Sequence, residues 1–260
     1  MRRMGFALLA LASPLCGLVP AAHAADGRLE IHQACVATGC FPGDTPGFPV
    51  DITASGSYLL TSDLVVTDAG PAAIRIQADE LALTIDLNQF SISGPTRCTL
   101  LGDCSPQGGG GIFNAGAASQ VNVLNGRILG MGGMGVSLNG LGRVEGVTVM
   151  HSHWGIVGAG VIRGNVVAFC GGIGILCEGC VAVENVVRYN GGDGVFGSFH
   201  AVVRDSLVSG NGGLGIQGGA GVAYGGNRLT DNNGGNANPQ VSAGSIEVGP
   251  NQCGDDTDCP

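Results

Sequence analysis

A glycine followed by valine or isoleucine recurs along this chain at intervals close to twenty residues. The pairs are Gly111-Ile112, Gly135-Val136, Gly155-Ile156, Gly174-Ile175, Gly194-Val195 and Gly215-Ile216, at offsets of 24, 20, 19, 20 and 21. The apolar runs between them are too short for helices, and a strand of three or four residues cannot bury its apolar face alone. Stacked rungs about 4.8 Å apart share one interior. The period therefore predicts an all-β solenoid of parallel, in-register strands, three per rung.

Two further columns of small polar residues follow the same period. They contain Asn165, Asn185, Ser206 and Asn227 in one, and Cys170, Asn190, Asn211 and Asn232 in the other. We expect bends at these columns, because glycine and asparagine tolerate positive φ angles, and ladders of side-chain amides between rungs. In the stretch "RYNGGD" (188–193), Asn190 and Gly191 then form a corner, and Arg188, Tyr189 and Asp193 are surface residues.

The composition narrows the class of function. Glycine accounts for 49 of the 260 residues without the every-third-residue period of collagen, lysine is absent, and the formal net charge is −9. A chain this acidic is not expected to bind nucleic acid. A polyanionic substrate would need arginine or a bound cation to overcome the same field.

The first 24 residues have the pattern of a secretory signal peptide. Arg2 and Arg3 precede an apolar stretch from Met4 to Val19, and Ala22-His23-Ala24 matches the cleavage site. No other apolar run approaches the roughly 20 residues that span a bilayer. The sequence therefore predicts a secreted or periplasmic monomer that does not insert into a membrane.

Nine cysteines remain after that cleavage, and an exported chain is expected to oxidise most of them. Closely spaced partners predict the local disulfides Cys35–Cys40, Cys98–Cys104, Cys177–Cys180 and Cys253–Cys259, and they leave Cys170 unpaired. A redox or zinc role for the C-x-x-C pair at 177–180 is the alternative, but a second such pair is missing.

Segments such as "ADELALTIDLNQFSISG" (78–94) and "GGIGILCEGCVAVENVVRYN" (171–190) resemble the right-handed parallel β-helix, or pectin-lyase-like, superfamily. The stretch at 30–66 is similar to the start of exported bacterial β-helix proteins without an assigned activity. The resemblance is specific for the fold and not for the function. The places where the repeat pattern is lost predict an N-terminal cap at 25–44, a disulfide-closed loop at 95–111 within a β-helix at 45–235, and a C-terminal cap at 236–260.

Two functions of different classes remain open. The superfamily includes polysaccharide lyases and hydrolases, which implies an enzyme acting on a uronate polymer, with calcium as a cofactor if it is a lyase. The motifs of polygalacturonases, pectate lyases and uronate epimerases are absent, which favours a non-catalytic carbohydrate-binding or surface module that needs no cofactor.

Candidate catalytic residues gather at one predicted corner, within about 10 Å of each other if rungs stack at 4.8 Å. They are His151, His153, Arg188, Tyr189 and Asp193. The alternative is that these are ordinary solvated side chains.

Outward positions beside the glycine pairs form a stripe of Ser137, Val157, Leu176, Phe196 and Gln217, which lacks acids and bases. Trp154, Val157, Leu176 and Phe196 are therefore candidate ligand-binding residues, for sugar stacking or for a partner. Arg163, Glu184, Arg204 and Asp205 are expected to form exposed ion pairs rather than a catalytic group. Asp255, Asp256 and Asp258 are expected to lie in a solvated loop rather than in a cation site.

Overall fold

The computed structural model describes residues 27–77, 79–80, 82–99, 102–116, 119–254 and 259. Its strands form parallel stacks that wind around one interior in about nine turns. The architecture is a parallel β-helix, as the repeat predicts, and its one α-helix among the described residues is α1 (Gln33–Val36). The predicted signal peptide, residues 1–24, and the acidic loop at 255–258 lie outside the described residues.

The strands, numbered along the chain, line three faces of the coil. Face 1 contains β2 (Val50–Ile52), β5 (Ile74–Ile76), β10 (Ile112–Asn114), β12 (Met134–Leu138), β14 (Trp154–Gly158), β17 (Ile175–Glu178), β20 (Val195–Ser198) and β23 (Ile216–Gln217). Face 2 contains β1 (Leu29–Ile31), β3 (Gly56–Leu60), β6 (Ala82–Asp86), the first halves of β11 (Gln120–Leu129) and β13 (Gly142–Met150), β15 (Val161–Arg163), β18 (Val181–Val183), β21 (Val202–Arg204), β24 (Ala223–Gly225) and β26 (Ile246–Glu247). Face 3 contains β4 (Leu64–Val65), β7 (Ser91–Ser93), the second halves of β11 and β13, β16 (Val166–Ala168), β19 (Val186–Arg188), β22 (Leu207–Ser209), β25 (Arg228–Thr230) and β27 (Gln252–Cys253).

Register follows the glycine period on face 1. Ile112 pairs with Val136, Val136 with Ile156, and the column continues through Ile175 and Val195. These side chains point inward and are at most 1% exposed. Like residues thus stack on like in the interior, as the sequence predicts.

The recurring glycine of each pair is required by the interior rather than by a bend. A Cβ on Gly174 would lie 2.6 Å from Cγ1 of Val187, which enters the same space from face 3. A Cβ on Gly111 would likewise lie 2.5 Å from Cγ2 of Ile128. Neither glycine has a positive φ angle. These positions therefore require glycine because it has no side chain, and not because of its backbone conformation.

The bends differ from the prediction in which residue adopts the left-handed conformation. Positive φ angles occur one position before the polar columns, at Glu184 (57°) and Tyr189 (55°) for example, and not at Asn190 or Gly191. Gly191 is glycine for another reason: a Cβ there would lie 2.7 Å from the Cα of Gly102, in the loop that packs on this corner.

Asparagine ladders run inside two corners, as predicted. Asn190 Oδ1 accepts a hydrogen bond from the Cys170 amide at 3.0 Å, and its Nδ2 donates to Asn211 Oδ1 at 2.9 Å. In the other ladder, Asn165 Nδ2 donates to Asn185 Oδ1 at 3.1 Å. Each amide thereby satisfies buried polar groups of neighbouring rungs.

The four predicted disulfides are present, and Cys170 is buried and free. Cys98–Cys104 closes a small antiparallel hairpin of β8 (Arg97–Cys98) and β9 (Cys104–Ser105) within the predicted loop. The coil extends beyond the predicted limits of 45 and 235, because β1 pairs with β3 and β26 pairs with β24. Parts of both predicted caps are therefore rungs.

Candidate functional site

The outward side chains of face 1 form one continuous row across its strands. Register places Ser137 beside Val157, and then Leu176, Phe196 and Gln217, as the predicted stripe requires. The row also extends towards the N-terminus, where Phe113 lies between Arg75 and Ser137. This extension turns an apolar stripe into a row with a charged end.

A cavity of about 390 Å³ opens at the N-terminal part of this row. Arg75, Phe113 and Ser137 line it from the strands, Pro71 lines it from the segment before β5, and Met134 lines it from the first position of β12. Its volume lies at the lower end of the roughly 300–1,000 Å³ that is usual for small-molecule sites. The Phe113 side chain is exposed there, so an aromatic surface faces the solvent inside a concave site.

An ion pair stands at the N-terminal end of the cavity. Arg75 donates from Nε to Asp51 Oδ1 at 2.8 Å and from Nη2 to Oδ2 at 3.0 Å. The Arg75 hydrogen bond lowers the pKa of Asp51, and the same contact raises the pKa of Arg75. Both groups therefore stay ionised and paired at neutral pH.

Asp51 is held in place by the N-terminal disulfide segment. Its backbone amide donates to Asp44 Oδ1 at 2.8 Å, and Asp44 Oδ2 accepts from the Cys40 amide at 2.8 Å. The Asp51 side chain is only 8% exposed. Its carboxylate therefore lies behind Arg75 as a fixed, buried counter-charge rather than as a mobile surface charge.

The predicted catalytic residues do gather at one corner, between faces 3 and 1. His151, Phe169 and Tyr189 occupy equivalent positions in successive rungs, and their rings stack at centroid distances of 5.5 Å. The other face of Tyr189 covers Gly210, where a Cβ would lie 2.7 Å from the ring. Because both faces of Tyr189 are covered, its ring is not a platform for a sugar.

Each of the two histidines of this corner has one ring nitrogen turned into the protein, although both residues are partly exposed. The Nδ1 atoms of His151 and His153 are buried and have no hydrogen-bond partner among the described residues. His153 stacks on Trp154 at 6.2 Å, and the guanidinium of Arg188 lies 5.8 Å from the centroid of Tyr189. Phe169 separates His151 from Tyr189, so the candidate catalytic histidines stand two rungs away from Arg188.

Asp193 is not the free surface carboxylate that the repeat comparison suggests. It is half-buried, and its Oδ1 accepts a hydrogen bond from the Leu214 amide of the next rung at 2.8 Å. Burial raises the pKa of the Asp193 carboxyl, and the Leu214 hydrogen bond opposes that shift only in part. This residue connects two rungs and belongs to the scaffold.

Replacing Asp193 with asparagine is expected to stabilise the protein at pH 7 by about 0.5 kcal/mol, since the amide oxygen keeps the Leu214 hydrogen bond without a half-buried charge. The folded pKa lies above the unfolded one, so the free energy of unfolding of the native protein falls as pH rises through the interval between them. The stabilisation by Asp193→Asn should therefore vanish near pH 3, where the Asp193 carboxyl of the native protein is neutral. Denaturant melts at both pH values test this, with Asp193→Ala, which lacks the acceptor, as the control. A loss of stability in Asp193→Asn at pH 7 would contradict it.

Of the predicted binding residues, Leu176, Phe196 and Trp154 are partly exposed, whereas Val157 is 8% exposed and offers little surface. Trp154 pairs in register with Met134, so it adjoins the cavity. Sequence reasoning missed Asp51, Arg75 and Phe113. Phe113 follows the pair Gly111-Ile112, so extending the outward stripe by one rung would have found it.

Charges elsewhere behave as structural groups. Arg163 donates to Glu184 from Nε at 2.9 Å and from Nη2 at 3.2 Å, in an exposed pair between adjacent rungs, as predicted. The ion pairs expected for Arg204 and Asp205 are not found among the described residues. Within the described ranges, no three histidine, cysteine or acidic side chains are grouped so as to hold a metal ion. No helix of the described residues is long and apolar enough to cross a membrane.

No protein-family model and no curated protein sequence matches this chain. A solved structure that it resembles is the A-module of the mannuronan C-5 epimerase AlgE4 of Azotobacter vinelandii, with a TM-score of 0.49 and 16% sequence identity. The match covers 83% of this chain and 70% of that one. The strand register already described establishes the architecture independently: the chain is a disulfide-bonded parallel β-helix with a small cavity on the outer side of face 1.

Proposed function

We propose that this protein is an exported, non-catalytic carbohydrate-binding β-helix whose binding site is the face 1 cavity. The observation that carries the proposal is the cavity's lining. Phe113 supplies an exposed aromatic ring beside the hydroxyl of Ser137, and Arg75, the one ionisable residue among the described lining residues, is committed to Asp51. Such a lining can hold a sugar but offers no free base or nucleophile.

Trp154 lies beside the row, in register with Met134. The partly exposed side chains of Leu176 and Phe196 continue the row beyond Val157. Adjacent strands bring these residues to about 4.8 Å intervals, so a polymer lying along the coil axis would meet them in succession. This arrangement favours a chain of sugar units over a single one. Export from the cell, which the sequence at 1–24 predicts, is part of the proposal, and the four disulfides fit an oxidising compartment.

Phe113→Ala is expected to weaken glycan binding roughly tenfold, because the ring is the principal apolar surface in the cavity. Phe199→Ala is the matched control, since Phe199 is 80% exposed but lies at another corner and does not line the cavity. Calorimetric titration of the mature protein with oligosaccharides found on a glycan array measures both. Equal losses in the two variants, or no glycan binding at all, would refute the proposal.

The enzyme alternative predicts a different result. A lyase releases an unsaturated uronate, whose conjugated double bond absorbs in the ultraviolet, so uronate polymers incubated with the protein with and without calcium should develop that absorbance. We expect none. A rate that Arg188→Ala abolishes would instead place the activity at the corner of His151 and Tyr189.

A further inference from the structure

The polar groups around the cavity are largely engaged within the protein. Three backbone carbonyls there accept hydrogen bonds from backbone amides. The Gly70 carbonyl accepts from the Gly109 amide, the Gly109 carbonyl accepts from the Gly133 amide, and the Gly110 carbonyl accepts from the Ala73 amide. The Asp51 carboxylate uses both oxygens on Arg75. A sugar that turns only hydroxyl groups towards the cavity would therefore lose hydrogen bonds to water that the cavity does not replace.

The apolar groups of the cavity are open to a ligand instead. Pro71, Ala72 and Met134 line it together with the ring of Phe113. Burial of a methyl group against such a surface is favourable, by the ordinary hydrophobic effect. Nη1 of Arg75, which the ion pair does not use, and the Ser137 hydroxyl are donors suited to one neutral acceptor such as a carbonyl.

Charge argues against an acidic ligand. Asp51 already neutralises Arg75 in bidentate geometry, and a uronate that paired with Nε and Nη2 would have to displace a carboxylate that is 8% exposed and anchored through Asp44. The chain as a whole carries a formal net charge of −9, which repels polyanions.

We infer that the ligand of the cavity is a neutral glycan bearing acetyl groups, and that Asp51 is the residue that excludes uronates. The acetyl methyl packs against Met134 and Phe113, and the acetyl carbonyl accepts from Arg75 or Ser137. This inference rests on the proposed function and specifies its substrate class.

Three tetrasaccharides test the inference on the wild-type protein. N-acetylglucosamine and glucose tetramers of the same β-1,4 linkage differ in the acetamido group alone, and a galacturonate tetramer carries the carboxylates. We expect the acetylated tetramer to bind at least tenfold more tightly than the glucose tetramer, and the galacturonate tetramer not to bind measurably. Tighter binding of galacturonate, or equal binding of the two neutral tetramers, overturns the inference and leaves the proposed function standing. Failure of every oligosaccharide to bind overturns both.

Asp51→Asn tests the role of the ion pair. The variant leaves Arg75 without its counter-charge, so the galacturonate tetramer should now bind measurably, and its affinity should weaken with added salt. Adding Arg75→Met to this variant should abolish the new affinity. Unchanged galacturonate binding in a folded Asp51→Asn protein, judged by circular dichroism and melting, would overturn the assignment to Asp51. If the variant does not fold, the wild-type ranking of the three tetramers decides.

Discussion

Replacing Gly174 with alanine is expected to lower the free energy of unfolding by about 3 kcal/mol, the upper part of the usual range for overpacking a filled core. The added Cβ would lie 2.6 Å from Val187 Cγ1, 2.7 Å from the Gly194 carbonyl oxygen and 2.8 Å from Asn190 Nδ2. The Gly194 carbonyl and the Asn190 side chain are fixed by hydrogen bonds between rungs, so they cannot move away from the new Cβ. Denaturant unfolding followed by circular dichroism measures the loss.

Gly219→Ala is the matched control, because a Cβ at Gly219 meets nothing within 4 Å and its φ angle is not positive. We expect it to change stability by less than about 0.5 kcal/mol. Combining Gly174→Ala with Val187→Ala should cost less than the sum of the single changes, since the smaller side chain vacates the space that the new Cβ enters. Strict additivity would show that the interior contact is not the cause.

Asn190→Ala is expected to destabilise the protein by about 3 kcal/mol, because it leaves several buried groups without partners. The Asn190 side chain accepts from the Cys170 amide and donates to the Val167 carbonyl at 3.3 Å and to Asn211 Oδ1. Each of these lies in the interior, where water cannot substitute. Thermal and denaturant melts of the variant measure the effect.

Arg188→Ala, two residues earlier on the exposed end of β19, is the control for Asn190→Ala. Arg188 is exposed, and its guanidinium lies 5.8 Å from the centroid of the Tyr189 ring, so its loss should cost less than about 0.5 kcal/mol. A comparable loss in both variants would mean that the ladder contributes no more to stability than a surface contact does.

The corner "RYNGGD" shows how far sequence comparison reaches. The repeated columns correctly distinguished the inward Asn190 from the exposed Arg188, because each inward or outward position recurs once in every rung. The comparison assigned positive φ to Gly191, whereas Tyr189 adopts it, because glycine content does not distinguish a left-handed residue from a close approach. It also counted Asp193 as a surface residue, because its acceptor role depends on an amide 21 residues later.

The sequence by itself determined the parallel coil, its register, the asparagine ladders and the four disulfide pairs. All of these follow either from the repeat period or from a short sequence separation between two cysteines. A residue and its partner can therefore be identified from the sequence alone. The cavity was decided by the tertiary structure. Its row joins Asp51, Arg75, Phe113 and Ser137, at intervals of 24, 38 and 24 residues, where the period is broken by the disulfide-closed loop. The path of that loop depends on its packing against Gly171 and Gly191, and no local pattern encodes which outward side chains such packing leaves open to a ligand.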